Sequence, residues 1–147
     1  QSDIVRERLY FQFKKNGIER DRVILGWEGE DIYKYYKNID IALDPFPYQG
    51  GVTTSEVFYS NTPCVILEGN DVQSRVGISL ANNIGHPELI AKTKEEYINL
   101  AINLTKSDRS VYNDLQEKMK NNSMANHDIF MKNLNKMYYN IWDDYVM

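Results

Sequence analysis

The chain has 147 residues, 42% of them hydrophobic and 26% charged, which is one domain's worth of chain with a core to bury and no apolar run approaching a membrane span. Its 17 basic and 21 acidic residues leave a formal net charge of −4, and with no basic stripe this excludes a sequence-independent grip on nucleic-acid backbone. The single cysteine, Cys64, excludes an internal disulfide, and within the apolar run PCVIL it is expected as a buried thiol, compatible with a reducing compartment. The first residue is Gln1 and no charged-then-apolar signal segment follows, so a piece of a longer protein is expected.

In SDIVRERLYFQFKKNG, Val5, Leu9 and Phe13 recur at i, i+4 and i+8, Ser2 or Asp3 can cap the start, and Gly17 ends the run. This predicts an amphipathic helix. RVILG, ended by Gly26, predicts a short strand, and EDIYKYYKN has helical character. IDIALD is continuous enough in apolar character to predict a strand buried on both faces. After the loop DPFPYQGG come a helix over TTSEVFYSN, despite its β-branched start, and the strand PCVILEG. Strand, helix, strand, helix, strand with short connections predicts an α/β fold with a doubly wound, Rossmann-like parallel sheet flanked by helices.

Beyond Gly69, SRVGISLANNIG predicts a helix and PELIAKT a short apolar piece. Thr93, with Glu96 three residues on, forms a capping box for KEEYINLAINLTKS. A further helix is predicted around VYNDLQEKMKNN and a last one from about His127 to the end, so that residues 94–147 are mostly helical. In the last helix Phe130, Leu134, Met137, Ile141 and Tyr145 recur at spacings of four and three, which predicts a buried face. No repeat or linker splits the chain, and a single domain over 1–147 is expected.

The loop DPFPYQGGVTTSE lies at the carboxyl end of a predicted parallel strand and just before a helix, where open α/β sheets place their ligands. Gly50 and Gly51 let a ligand approach the backbone, free N–H groups near Thr53 and Thr54 can receive an anion, and the two hydroxyls add donors for a phosphate. Glu56, one turn in, can accept from the vicinal hydroxyls of a ribose. A diphosphate with a ribose fits this set; equally, Gly-Gly can be a tight turn whose threonines only cap a helix. The loop matches neither GxGxxG nor the phosphate-loop pattern, so neither nicotinamide nor ATP follows from it. Asp44 is either a catalytic carboxylate or a hydrogen-bond partner for the turn before Pro45. Arg75 is more often an ion-pair partner than a phosphate ligand, and Tyr33, Tyr35 and Tyr36 more often pack on a sheet than stack on a base. His86 and His127 have no partner at metal-ligand spacing and are expected as ordinary surface or turn histidines, so no metal site is predicted.

DIALDPFPYQGGVTTSEVFYSNTPCVILEG followed by SRVGISLANNIGHPELIAKTKEEYINLA resembles the C-terminal half of the protein O-GlcNAc transferase and SPINDLY family, bacterial members included. The likeness runs from VRERLYFQFKKNGIERDRVILGW to YYNIWDDY, nearly the whole chain. It implies the C-terminal, donor-binding domain of a two-domain GT-B glycosyltransferase, cytoplasmic, which moves a sugar from a nucleotide sugar to Ser or Thr hydroxyls of an acceptor protein. The donor implied is UDP-GlcNAc-like or a GDP-sugar, with no further cofactor. Family members carry an N-terminal catalytic half and usually a tetratricopeptide-repeat region upstream. On this sequence the resemblance places the diphosphate at Gly50, Gly51, Thr53 and Thr54, the ribose at Glu56 and the base against the backbone of Gly26 and Trp27. The family's active-site lysine lies upstream of the first helix here, so these residues alone are not expected to catalyse. Three positions depart from the pattern. Val52 replaces a hydroxyl residue of bacterial relatives, which implies a weaker phosphate contact, and Gly29 and Ile32 stand where animal members have a lysine and a histidine. Those departures motivate a second reading, a degenerate donor domain kept as an interaction or scaffold module.

Overall fold

The structure, a computed structural model, describes residues 2–26 and 32–147; Trp27, Gly29 and the side chains of Ile32 and Tyr33 lie outside what it describes. The chain divides into two compact units, one up to residue 32 and one from residue 33 onward. In the first, α1 (Asp3–Lys15) starts after Ser2 and ends where the sequence predicts. Gly17 takes a left-handed φ of 78°, and the N–H groups of Gly17 and Ile18 turn back to the carbonyls of Lys14 and Phe13 at 2.9 and 3.0 Å. That is the glycine-closed helix end in which two otherwise unpaired carbonyls are satisfied. Arg20 stacks over the Tyr10 ring at 4.1 Å and pairs with Glu7 at 2.8 Å.

One expectation fails in this unit. Residues 23–25 form no strand, and Ile24 is 91% exposed; strand-forming residues make a strand only where a neighbour supplies the ladder, and none pairs with them among the described residues. No residue of α1 is buried, so its apolar stripe is uncovered within the unit.

The second unit holds all but the first residue of α2 (Ile32–Tyr36), then β1 (Ala42–Leu43), α3 (Val52–Tyr59), β2 (Cys64–Leu67), α4 (Val76–Asn83), β3 (Ile90–Ala91), α5 (Lys94–Leu104), α6 (Leu115–Asn121) and α7 (His127–Val146). The three strands are parallel in the order β1-β2-β3, with Ala42 opposite Cys64 and Ile66 opposite Ile90. The parallel α/β sheet predicted from the order of elements is therefore present. All four residues of β2 are buried; since successive side chains point to opposite faces, both faces of the central strand are covered. Phe58 of α3 and Val65 and Ile66 of β2 are fully buried, α3 lies against β2, α5 lies on β2 and β3, and α6 lies on α3. The capping box forms with a shift: Thr93 Oγ1 accepts the Glu96 N–H at 3.1 Å, while Glu96 accepts from the N–H of Lys92, not Thr93, at 2.7 Å.

Burial differs from expectation at two places. Leu43 of β1 is exposed, because the face of β1 onto which it projects is left uncovered by the described residues. In α7 no residue is buried, and Phe130, Met137, Ile141 and Tyr145 are exposed. The spacing locates the apolar stripe but cannot say whether anything in these residues covers it.

Candidate functional site

The carboxyl end of β1 runs into Asp44, whose N–H continues the ladder to the Val65 carbonyl at 2.9 Å. The chain then crosses Pro45 to Gly51, through a cis Phe46–Pro47 bond, and enters α3. Asp44 is only 3% exposed. Its Oδ1 accepts the Gly50 N–H at 2.8 Å and the Thr54 hydroxyl at 3.4 Å, so the side chain ties the end of the strand to the start of the helix. Of the two roles open to Asp44, the structure supplies the turn-bonding one. A Cβ on Gly50 would collide with both threonine hydroxyls, which accounts for glycine there.

Gln49 is buried and does a similar service for β2 and α4. Its N–H donates to the Gln73 carbonyl at 3.0 Å and its side-chain amide to the Leu67 carbonyl at 2.7 Å, and its Oε1 accepts the Gly77 N–H at 2.8 Å. Sequence inspection passes over Gln49, since a glutamine in a glycine-rich loop carries no signal until its partners are known. Gly77 is the matching close approach: an added Cβ would lie 2.7 Å from Asp44 Oδ2 and 3.1 Å from both Gln49 Oε1 and Ile66 Cγ2. Gly77→Ala is therefore expected to push α4 off the loop and lower stability by about 1–3 kcal/mol. Chemical denaturation of the variant checks this; unchanged stability would mean that the loop yields freely.

The predicted site residues are brought to one helix start but not to one hollow. Gly50 and Gly51 lead into α3, and the first N–H groups of that helix, at Val52, Thr53 and Thr54, precede its first internal bond, from Ser55 N–H to the Gly51 carbonyl at 3.1 Å. Thr53 and Thr54 line a hollow of about 400 Å³ together with Asp44, Pro45 and Leu43. Thr53 is exposed and Thr54 is buried with its hydroxyl on Asp44. Gly51, Val52, Ser55 and Glu56 line a second groove of about 580 Å³, closed on its far side by Val76, Leu80, Met119 and Met124. The Glu56 carboxylate accepts the Tyr36 hydroxyl at 3.1 Å from α2. Gly26 belongs to the other unit, with a left-handed φ of 106°, and Trp27 is outside the described residues.

Burial and the neighbouring Asp44 push the Cys64 thiol up, so it is the inert, buried thiol expected from PCVIL. Arg75, at the α4 N-cap, is exposed and makes no ion pair among the described residues, contrary to the commoner expectation. His127 is at the surface. His86, although in a turn, is buried: Nδ1 lies 2.7 Å from Glu88 Oε1 and Nε2 lies 2.8 Å from Lys118 Nζ. The ammonium can only donate, so Nε2 accepts from Lys118 while Nδ1 faces the Glu88 carboxylate. Among the described residues no group of three or more His, Cys, Asp or Glu is placed to share a metal ion.

The sequence signature of Glycosyl transferase family 41 matches residues 6–138. A curated relative from Petunia hybrida, described as "Probable UDP-N-acetylglucosamine--peptide N-acetylglucosaminyltransferase SPINDLY", is 34% identical over 97% of this chain and 16% of its own length. The Arabidopsis thaliana protein of the same description is 32% identical over the same shares. Among solved structures, a mutant of the O-GlcNAc transferase of Thermobaculum terrenum superposes with a TM-score of 0.78 at 31% identity, covering 98% of this chain and 29% of that one. The sheet-and-helix arrangement is thus that of part of a GT-B transferase, and the chain spans 16% of the length of the curated relatives it matches.

Proposed function

The chain belongs to glycosyl transferase family 41, and from that membership we propose that it is the nucleotide-sugar-binding part of an enzyme that transfers a GlcNAc-like sugar to Ser and Thr hydroxyls of proteins. The observation that carries the proposal is the start of α3, where unpaired N–H groups, the exposed Thr53 hydroxyl and a side-chain-free Gly50–Gly51 approach meet at the carboxyl end of a parallel strand. The donor's diphosphate rests on these groups, and Thr54 serves the same place from inside by holding Asp44. Glu56, one turn on, takes the ribose hydroxyls. Contact of the base with the backbone of Gly26 and Trp27 rests on the family resemblance alone. UDP-N-acetylglucosamine is the donor favoured by the relatives' descriptions.

The chemistry follows from placement. Negative charge grows on the diphosphate as the glycosidic bond to it breaks, and oriented N–H dipoles and hydroxyls stabilise that charge without a covalent intermediate. The enzyme works in the cytoplasm with a catalytic half and an acceptor protein supplied from outside these 147 residues. No helix among the described residues is long and apolar enough to cross a membrane. A second reading, a donor-like scaffold module, is favoured by Val52, an apolar side chain 75% exposed at the mouth of the site. Calorimetry of the full-length protein with UDP, GDP and their sugars separates the two: binding of one of them is expected, and no binding by any, with circular dichroism showing an intact fold, favours the scaffold.

A further inference from the structure

Asp44 is a buried carboxyl with two unlike oxygens. Oδ1 is bonded to Gly50 and Thr54, whereas Oδ2 is buried without a hydrogen-bond partner among the described residues. Oδ2 lies over Gly77, where an added Cβ would come to 2.7 Å. The carboxyl therefore sits between the first turns of α3 and α4, each eight residues long, beneath the place assigned above to a diphosphate. Two anions would then share the positive start of α3, where they repel each other.

The surroundings leave Asp44 as the group that responds. From β2 it faces the Cys64 thiol, and from α5 the Tyr97 hydroxyl, which donates to the Asp44 carbonyl at 3.0 Å. Burial pushes both up, Tyr97 to about 12, so neither is charged near neutral pH. From α3, Glu56 is turned to the other groove and bonded to Tyr36, and Arg75 at the start of α4 is exposed. Burial also raises the Asp44 carboxyl above the ordinary carboxylate range, against the lowering effect of its bonds to Gly50 and Thr54.

We propose that Asp44 is a positioning residue whose protonation is linked to donor binding: Oδ1 holds the loop in either state, and Oδ2 takes one proton from solvent when the diphosphate arrives. A proton on Oδ2 breaks no existing bond, because that oxygen has none. The inference rests on the donor-site proposal. Its sign follows from linkage: the bound state holds the proton to higher pH than the free state, so affinity falls as pH rises through that window.

The test is calorimetry of the full-length protein with UDP-N-acetylglucosamine, whose diphosphate diester does not titrate in this range, from about pH 4 to 7 around the carboxyl range. Each pH is measured in two buffers of different ionisation heat. The wild type is expected to show a buffer-dependent heat reporting proton uptake, and affinity falling by up to about tenfold per pH unit. Asp44→Asn, which keeps the Oδ1 acceptor, is expected to bind with a flat pH profile at the level of the wild type's acid end. Equal heats in both buffers for the wild type, or a profile unchanged in Asp44→Asn, overturn the proposal; the wild-type buffer comparison decides even if the variant does not fold. Binding without proton uptake removes this inference alone, whereas no binding at any pH removes the UDP-N-acetylglucosamine site with it.

Discussion

Exchanging Thr53 and Thr54 together for valine is expected to weaken donor binding by about 1–3 kcal/mol, roughly 5- to 150-fold in Kd. Valine keeps the volume and the β-branch, so the change removes hydroxyls and little else. The two positions are not expected to contribute alike. Thr53 is exposed at the helix start, with its side chain on the open hollow, so Thr53→Val alone should lower affinity and leave the melting temperature nearly unmoved. Thr54 is buried and its hydroxyl goes to Asp44, so Thr54→Val should cost stability, and affinity only as the loop loosens. Calorimetry and thermal melting of both single variants and the double variant separate these effects. An unchanged affinity in the double variant would mean that neither hydroxyl touches phosphate.

Phe58→Ala should have the largest effect on the fold, about 3–5 kcal/mol, the cost of emptying a fully buried aromatic site. Phe58 is 0% exposed, on the helix whose first turn is the candidate anion site. A loss of that size is a large part of the roughly 5–15 kcal/mol that holds a domain together, so donor binding should fall with it, as a consequence of α3 leaving the sheet. Urea unfolding followed by circular dichroism gives the number. A loss under about 1 kcal/mol would show that α3 is not seated on β2 through this ring.

The parts of this protein legible in its sequence are those governed by neighbours along the chain. PCVIL reads as a strand and is one, buried on both sides; the helix over Val52–Tyr59 follows its Gly-Gly entry despite two threonines; Thr93 and Glu96 meet as a cap. Alternating strands and helices fix a parallel sheet, since a parallel pair needs a crossover. The candidate site was legible as a place, the loop after a parallel strand, and the structure does gather Gly50, Gly51, Thr53 and Thr54 at one helix start.

Whether RVILG pairs, whether IDIALD is covered on both faces and whether the stripe of α7 is buried depend on what lies opposite, and sequence periodicity is silent about that. The same holds inside the site. Asp44, Gln49 and Gly77 are separated by 5 and 28 positions along the chain, yet meet within hydrogen-bonding or van der Waals reach. Periodicity is a property of each segment, but burial and hydrogen-bond partners are set by residues distant in sequence. For that reason the helix start proposed as the anion site could be singled out from residues alone, while the buried carboxyl beside it became visible only once the chain was folded.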